Sequence, residues 1–135
     1  MKLLYLRWKH YIYHALCSNK EYSICVHKTI EELYGLKVYT SKNLDVHEVV
    51  NLIKRIGVHS PVLFYYINHH NGSDIPARVL FNNMLLHSPI GTKFLLFLMV
   101  KDGEGHVELY TRGKKHKMPS GYMFGIYQLK YEFNN

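Results

Sequence analysis

The chain has 135 residues, 47% of them hydrophobic and 20% charged, with twelve Tyr, six Phe and one Trp. That composition excludes an intrinsically disordered chain and, at this length, predicts one compact domain with its own core. The formal net charge of +7, with ten His counted neutral, predicts a surface that attracts phosphate groups or acidic partners.

The two cysteines, Cys17 and Cys25, are too few for a disulfide framework. The opening run Met1–His10 is interrupted by Arg7 and Lys9 and is too short for a secretory signal. The longest apolar run, 94–100, falls far short of the roughly 20 residues that span a bilayer. A soluble intracellular chain with no transmembrane segment is expected. Asn71-Gly72-Ser73 then reads as a turn.

Residues 2–16 fit two patterns. Leu3, Leu6, His10, Tyr13 and Cys17 share one face of a helix, while the Tyr, Ile and Trp content suits a strand. Tyr22–His27 reads as a short strand. Thr29 reads as the start of a brief helix, with Glu32 as its capping-box partner and Gly35 at its end.

The clearest element is a helix over 45–57. Asp45 and Glu48 form a capping box, and Leu44 and Val49 stand at the positions of a hydrophobic staple. Val46, Val49, Val50, Ile53 and Ile56 make an apolar stripe at helical spacing. Lys54 and Arg55 suit the negative end of the helix dipole, and Gly57 suits the residue just past the end.

Val62–Asn68 is an apolar, aromatic run of strand length, followed by a polar turn around His69, His70 and Asn71-Gly72. Residues 77–87 fit a continued strand or a short helix, and the helix is favoured, capped by Asp74 with Pro76 in its first turn. After a turn at 88–92, Lys93–Lys101 reads as a fully buried central strand. A hairpin turn at 102–105 leads to alternating residues 107–112. The segment 127–133 alternates as well, with Tyr127, Leu129, Tyr131 and Phe133 on one side. The sum is an α+β domain: a mainly antiparallel sheet of about four to six strands, its last three forming a meander, packed with one or two helices.

Charge is densest at Arg112-Gly113-Lys114-Lys115-His116-Lys117, which reads as a hairpin loop between two strands of the meander. A glycine-containing cationic loop binds phosphate through side-chain charge and backbone N–H groups. Arg112, Lys114, Lys115 and Lys117 are the candidate phosphate contacts. Tyr110 and Tyr122 are the candidate stacking residues, because every nucleobase offers a π face. A looser basic group gathers near the start of the chain at Lys2, Arg7, Lys9, Lys20 and Lys28.

His10, His14, Cys17, Cys25 and His27 are a second constellation. The first three share a helical face, and the last two would lie on one side of a strand, a donor set that suits zinc. Their spacing matches no standard zinc finger, and no cofactor motif is present. GxSxG, Walker, GxGxxG and HExxH signatures are absent, as are RNP, KH and other nucleic-acid modules.

The sequence therefore favours a basic binding protein for RNA, single-stranded DNA or another polyanion. An alternative is a self-assembling structural or accessory protein, of the viral matrix type, acting through protein contacts or an anionic membrane surface. A third is a small hydrolase or nuclease built on two histidines that meet in space.

Overall fold

In the computed structural model, residues 20–37, 44–67, 72–99 and 105–132 are described. They form an α+β architecture of three helices and a four-stranded antiparallel sheet. The chain divides into two compact units, residues 1–60 with 132–135, and residues 61–131.

The first unit holds helices α1 (Lys20–Tyr34) and α2 (Val46–Ile56). Helix α1 overturns the strand expected at Tyr22–His27 and the helix start expected at Thr29. Cys25, Val26, Thr29 and Ile30 are buried together. That spacing of one and four residues describes a helical face, and tertiary burial outweighs the strand propensity of Tyr, Ile and Val. Helix α2 matches its sequence signals. The Asp45 carboxylate accepts from the Glu48 N–H at 2.8 Å, and the Glu48 carboxylate accepts from the Asp45 N–H at 3.1 Å. The expected stripe is buried, with Leu52 beside it. Gly57 ends the helix at φ 85°, a conformation that is costly for a residue with a Cβ.

Strand β1 (His59–Tyr66) starts earlier than the apolar run suggested and carries Pro61. It lies at one edge of the sheet, the place where a missing ladder N–H is tolerated. Helix α3 (Ile75–Leu86) follows, then β2 (Lys93–Met99), β3 (Gly105–Thr111) and β4 (Tyr122–Tyr131). The strand order is β1-β4-β2-β3. This corrects the expected meander: β4 does not add beside β3 but inserts between β1 and β2. Strand β2 is the most apolar, with Phe94–Leu98 all buried, and it gains a ladder on both edges this way.

Because β3 and β4 both run antiparallel to β2, they are parallel to each other. Residues 112–121 must therefore travel the length of the sheet to join them. By the same logic β1 and β2 are parallel, with α3 as their crossover.

Helix α3 covers one face of the sheet. Its Ala77 and Phe81 pack with Phe94, Leu96 and Leu98 of β2 and with Met123 and Ile126 of β4. Phe81 meets Phe94 and Tyr110 edge-on, at centroid distances of 5.4 and 5.2 Å. Burying such a ring contributes about 1.5–3 kcal/mol. The turn at 88–92 and the antiparallel pairing of β2 with β3 agree with the sequence pattern, while the hairpin turn expected at 102–105 lies, but for Gly105, outside the described residues. No described helix is long and apolar enough to cross a membrane.

Candidate polyanion-binding segment

The cationic residues 112–117 form the first half of the crossover from β3 to β4. Its start is fixed by two backbone bonds to the turn before β2. The Gly91 N–H donates to the Arg112 carbonyl, and the Arg112 N–H donates to the Thr92 carbonyl, both at 2.8 Å. The Lys114 N–H closes a tight turn onto the Thr111 carbonyl at 3.2 Å. Gly113 sits at φ 95°, and a Cβ there would stand 2.7 Å from the Ile90 side chain. Its bare side is thus occupied by Ile90 rather than open to a ligand.

The middle of the segment is held by His116. Its ring stacks on Tyr110 at 4.7 Å and 28°, and its Nε2 accepts the Thr111 N–H at 3.4 Å. Pro119 is buried. The far end is clasped by helix α3. The Arg78 guanidinium donates to the Gly121 carbonyl and to Asp74 Oδ2, and the same carboxylate oxygen accepts the Met123 N–H at 2.8 Å. Burial raises the Asp74 carboxyl, but the Met123 N–H and the Arg78 charge outweigh it and hold it below its ordinary 3.8. Asp74 stands at the N-cap of α3 as the sequence suggested, but its side chain makes no capping bond. The Ser73 hydroxyl takes the Ile75 N–H instead, at 3.2 Å.

On this anchored backbone Lys114, Lys115 and Lys117 are exposed and Arg112 is half-buried. From Leu109 to Tyr131 the chain carries five Lys or Arg and no carboxylate. The described acids of residues 61–131 are Asp74 and Glu108; they face Arg78 and His106 respectively. Lys93 adds a cation that sequence reading passed over, its ammonium donating to the Thr111 hydroxyl at 3.3 Å. It opens the most apolar strand, and only the register with Thr111 brings it to the loop.

The two candidate stacking residues do not share a patch. Tyr110 pairs with Phe94 and Tyr122 with Met99, five residues and so about 17 Å apart in the strand direction, with β2 between their strands. Tyr110 is half-buried, with Phe81 and His116 on its ring. Tyr122 is half-buried at the far end, its hydroxyl donating to the Ser73 carbonyl at 3.4 Å.

Of the metal candidates, His10, His14 and Cys17 lie outside the described residues, as do Lys2, Arg7 and Lys9 of the looser basic group. Cys25 and His27 lie on α1, where residues two apart project about 200° apart, so they do not share a side as a strand would have allowed. Among the described residues no three His, Cys, Asp or Glu stand close enough to hold a metal ion.

The described histidines engage separate parts of the chain. His59 Nδ1 lies 2.7 Å from the Tyr34 hydroxyl, and His87 Nδ1 lies 2.8 Å from the Asn83 carbonyl. His69 and His70 lie outside the described residues. Compared with protein-family models, with curated proteins and with solved structures, the chain matches none.

Proposed function

We propose that residues 61–131 bind a polyanion, single-stranded RNA or DNA, along the crossover 112–117. The observation that carries this reading is a run of exposed cations on a tethered backbone, with no carboxylate from Leu109 to Tyr131. Fixing the backbone in advance lowers the ordering cost of binding. Arg112, Lys114, Lys115 and Lys117 contact phosphates, and Lys93 adds to the field at the start of the segment. Tyr122 offers a ring to a base, and Tyr110 acts through His116, which rests on it. Contacts of this kind read charge and backbone rather than sequence.

The test is oligonucleotide affinity measured across a salt series. Each phosphate contact to a single strand contributes about −0.7 to the slope of log K against log salt. A K114A/K115A/K117A variant should flatten the slope by about 2 and weaken binding at low salt. A charge-matched K28A/K54A/R55A variant, altered only on α1 and α2, should keep the parent slope. Equal slopes for the parent and the loop variant would overturn the proposal.

A further inference from the structure

Helix α3 carries little charge and is apolar on more than its buried side. Its only charged side chain is Arg78, which Asp74 neutralises. Ala77 and Phe81 face the sheet. Ile75, Val79 and Leu86 lie on the opposite side and are 67%, 53% and 71% exposed. With Asn82 they form one stripe at intervals of four, three and four residues. A helix with apolar residues on both sides is normally covered on both.

We infer that this stripe is the contact surface for a second copy of the chain, with the two α3 helices antiparallel about a twofold axis. Three observations select that occupant. The spacing is symmetric end to end, so reversing the helix puts Ile75 opposite Leu86 and Val79 opposite Asn82, as an isologous contact requires. The outward face bears no net charge, so two copies of a chain with net charge +7 meet there without placing like charges together. The size also fits. The three side chains with the adjoining Pro76 and Asn83 present on the order of 400–500 Å² per copy, the size of the largest and often functional patch on a typical monomer.

A pair of such patches gives roughly 1,000 Å² in total, below the roughly 1,200 Å² of stable interfaces and in the weak, transient class, so the dimer forms reversibly with concentration. The antiparallel direction follows from the loop. Ile90, just past the end of α3, touches Gly113, so the cationic segment begins at that end of the helix. Reversal sends the two cationic ends apart, whereas a parallel pair would bring them together.

The experiment is sedimentation equilibrium of the full chain without nucleic acid. The parent should move from 16.0 kDa towards twice that mass as concentration rises. A V79K/L86K variant should stay at the monomer mass with an unchanged circular dichroism spectrum and, at a concentration where the parent is also monomeric, the same melting temperature, since both side chains are exposed in the monomer. Direction is read with I75C and L86C single variants in a C17S background. A short bis-maleimide should cross-link a mixture of the two far more than either alone, because like positions lie about 17 Å apart along an antiparallel pair. A parent that stays monomeric up to about 1 mM, the weak end of specific association, would overturn the inference. So would a V79K/L86K variant that dimerises like the parent, or I75C cross-linking equally well to itself. Binding to anionic vesicles by a parent that stays monomeric, lost in V79K/L86K, would assign the stripe to a membrane and overturn it as well. None of these readouts depends on nucleic-acid binding, so the two proposals fail separately.

Discussion

Asp74 joins the start of α3 to the start of β4 through one carboxylate oxygen, which takes both the Arg78 guanidinium and the Met123 N–H. Hydrogen bonds to a charged group contribute about 1.5–3 kcal/mol, so D74N should destabilise by an amount in that range. The sign of its pH dependence follows from the lowered carboxyl. A depressed folded-state value means the stabilisation is present above the unfolded value of 3.8 and is lost as pH falls through the lower folded value. The parent–variant difference in urea unfolding should therefore be flat above about pH 5 and shrink towards pH 2. A difference that stays constant to low pH would show that the charge is not what holds Met123. Sequence reading placed Asp74 correctly beside a helix start but gave it the wrong partner. Nothing local announces an N–H from a strand 49 residues away.

At the scale of elements, legibility tracks how local the deciding interaction is. Helix α2 has its whole capping apparatus within four residues of each end, and every part of it was readable. Asp45→Ala should cost about 1 kcal/mol in thermal or chemical unfolding, because it strands the Glu48 N–H at an exposed helix start. Asp45→Ser, which keeps a capping oxygen, should avoid most of that loss. Helix α1 is the contrary case. Its segment 22–27 has strand-forming side chains, and only the joint burial of Cys25, Val26, Thr29 and Ile30 settles the matter. Strand β2 was legible as central because five consecutive buried apolar residues need cover on both faces. The partner of β4 was not, since alternation gives a strand its two faces and no information on which neighbour it joins.

Across the whole chain, charge divides unevenly. Residues 20–60 hold acids and bases in mixture, whereas 109–131 holds bases alone. If the crossover binds single-stranded nucleic acid, the ligand stabilises the folded form by mass action. Oligonucleotide at 100 times its Kd should add about 2.7 kcal/mol of stability. That gain should be seen as a raised melting temperature in low salt and should vanish at high salt, where counterion release no longer drives binding. A shift that is the same in K114A/K115A/K117A would place the ligand elsewhere. Self-association through α3 would add a second cationic segment to the same particle and raise avidity for long strands.

The feature most open to the sequence was the run 112–117, because density of charge is a property of composition and survives any fold. The sequence by itself determined the α+β class, the limits and caps of α2, the central place of β2 and the location of the cationic residues. Each of these depends on neighbours a few residues away or on simple hydrophobic count. Only the tertiary structure decided that the cationic run is a crossover rather than a hairpin tip, that its ends are tied to Thr92 and Arg78, and that Tyr110 and Tyr122 stand at opposite ends of β2. The tie to Thr92 continues the β2–β3 ladder, and the insertion of β4 between β1 and β2 decides the rest. That pairing is chosen by burial across the sheet and by ladder hydrogen bonds between residues distant in sequence, which no local pattern encodes.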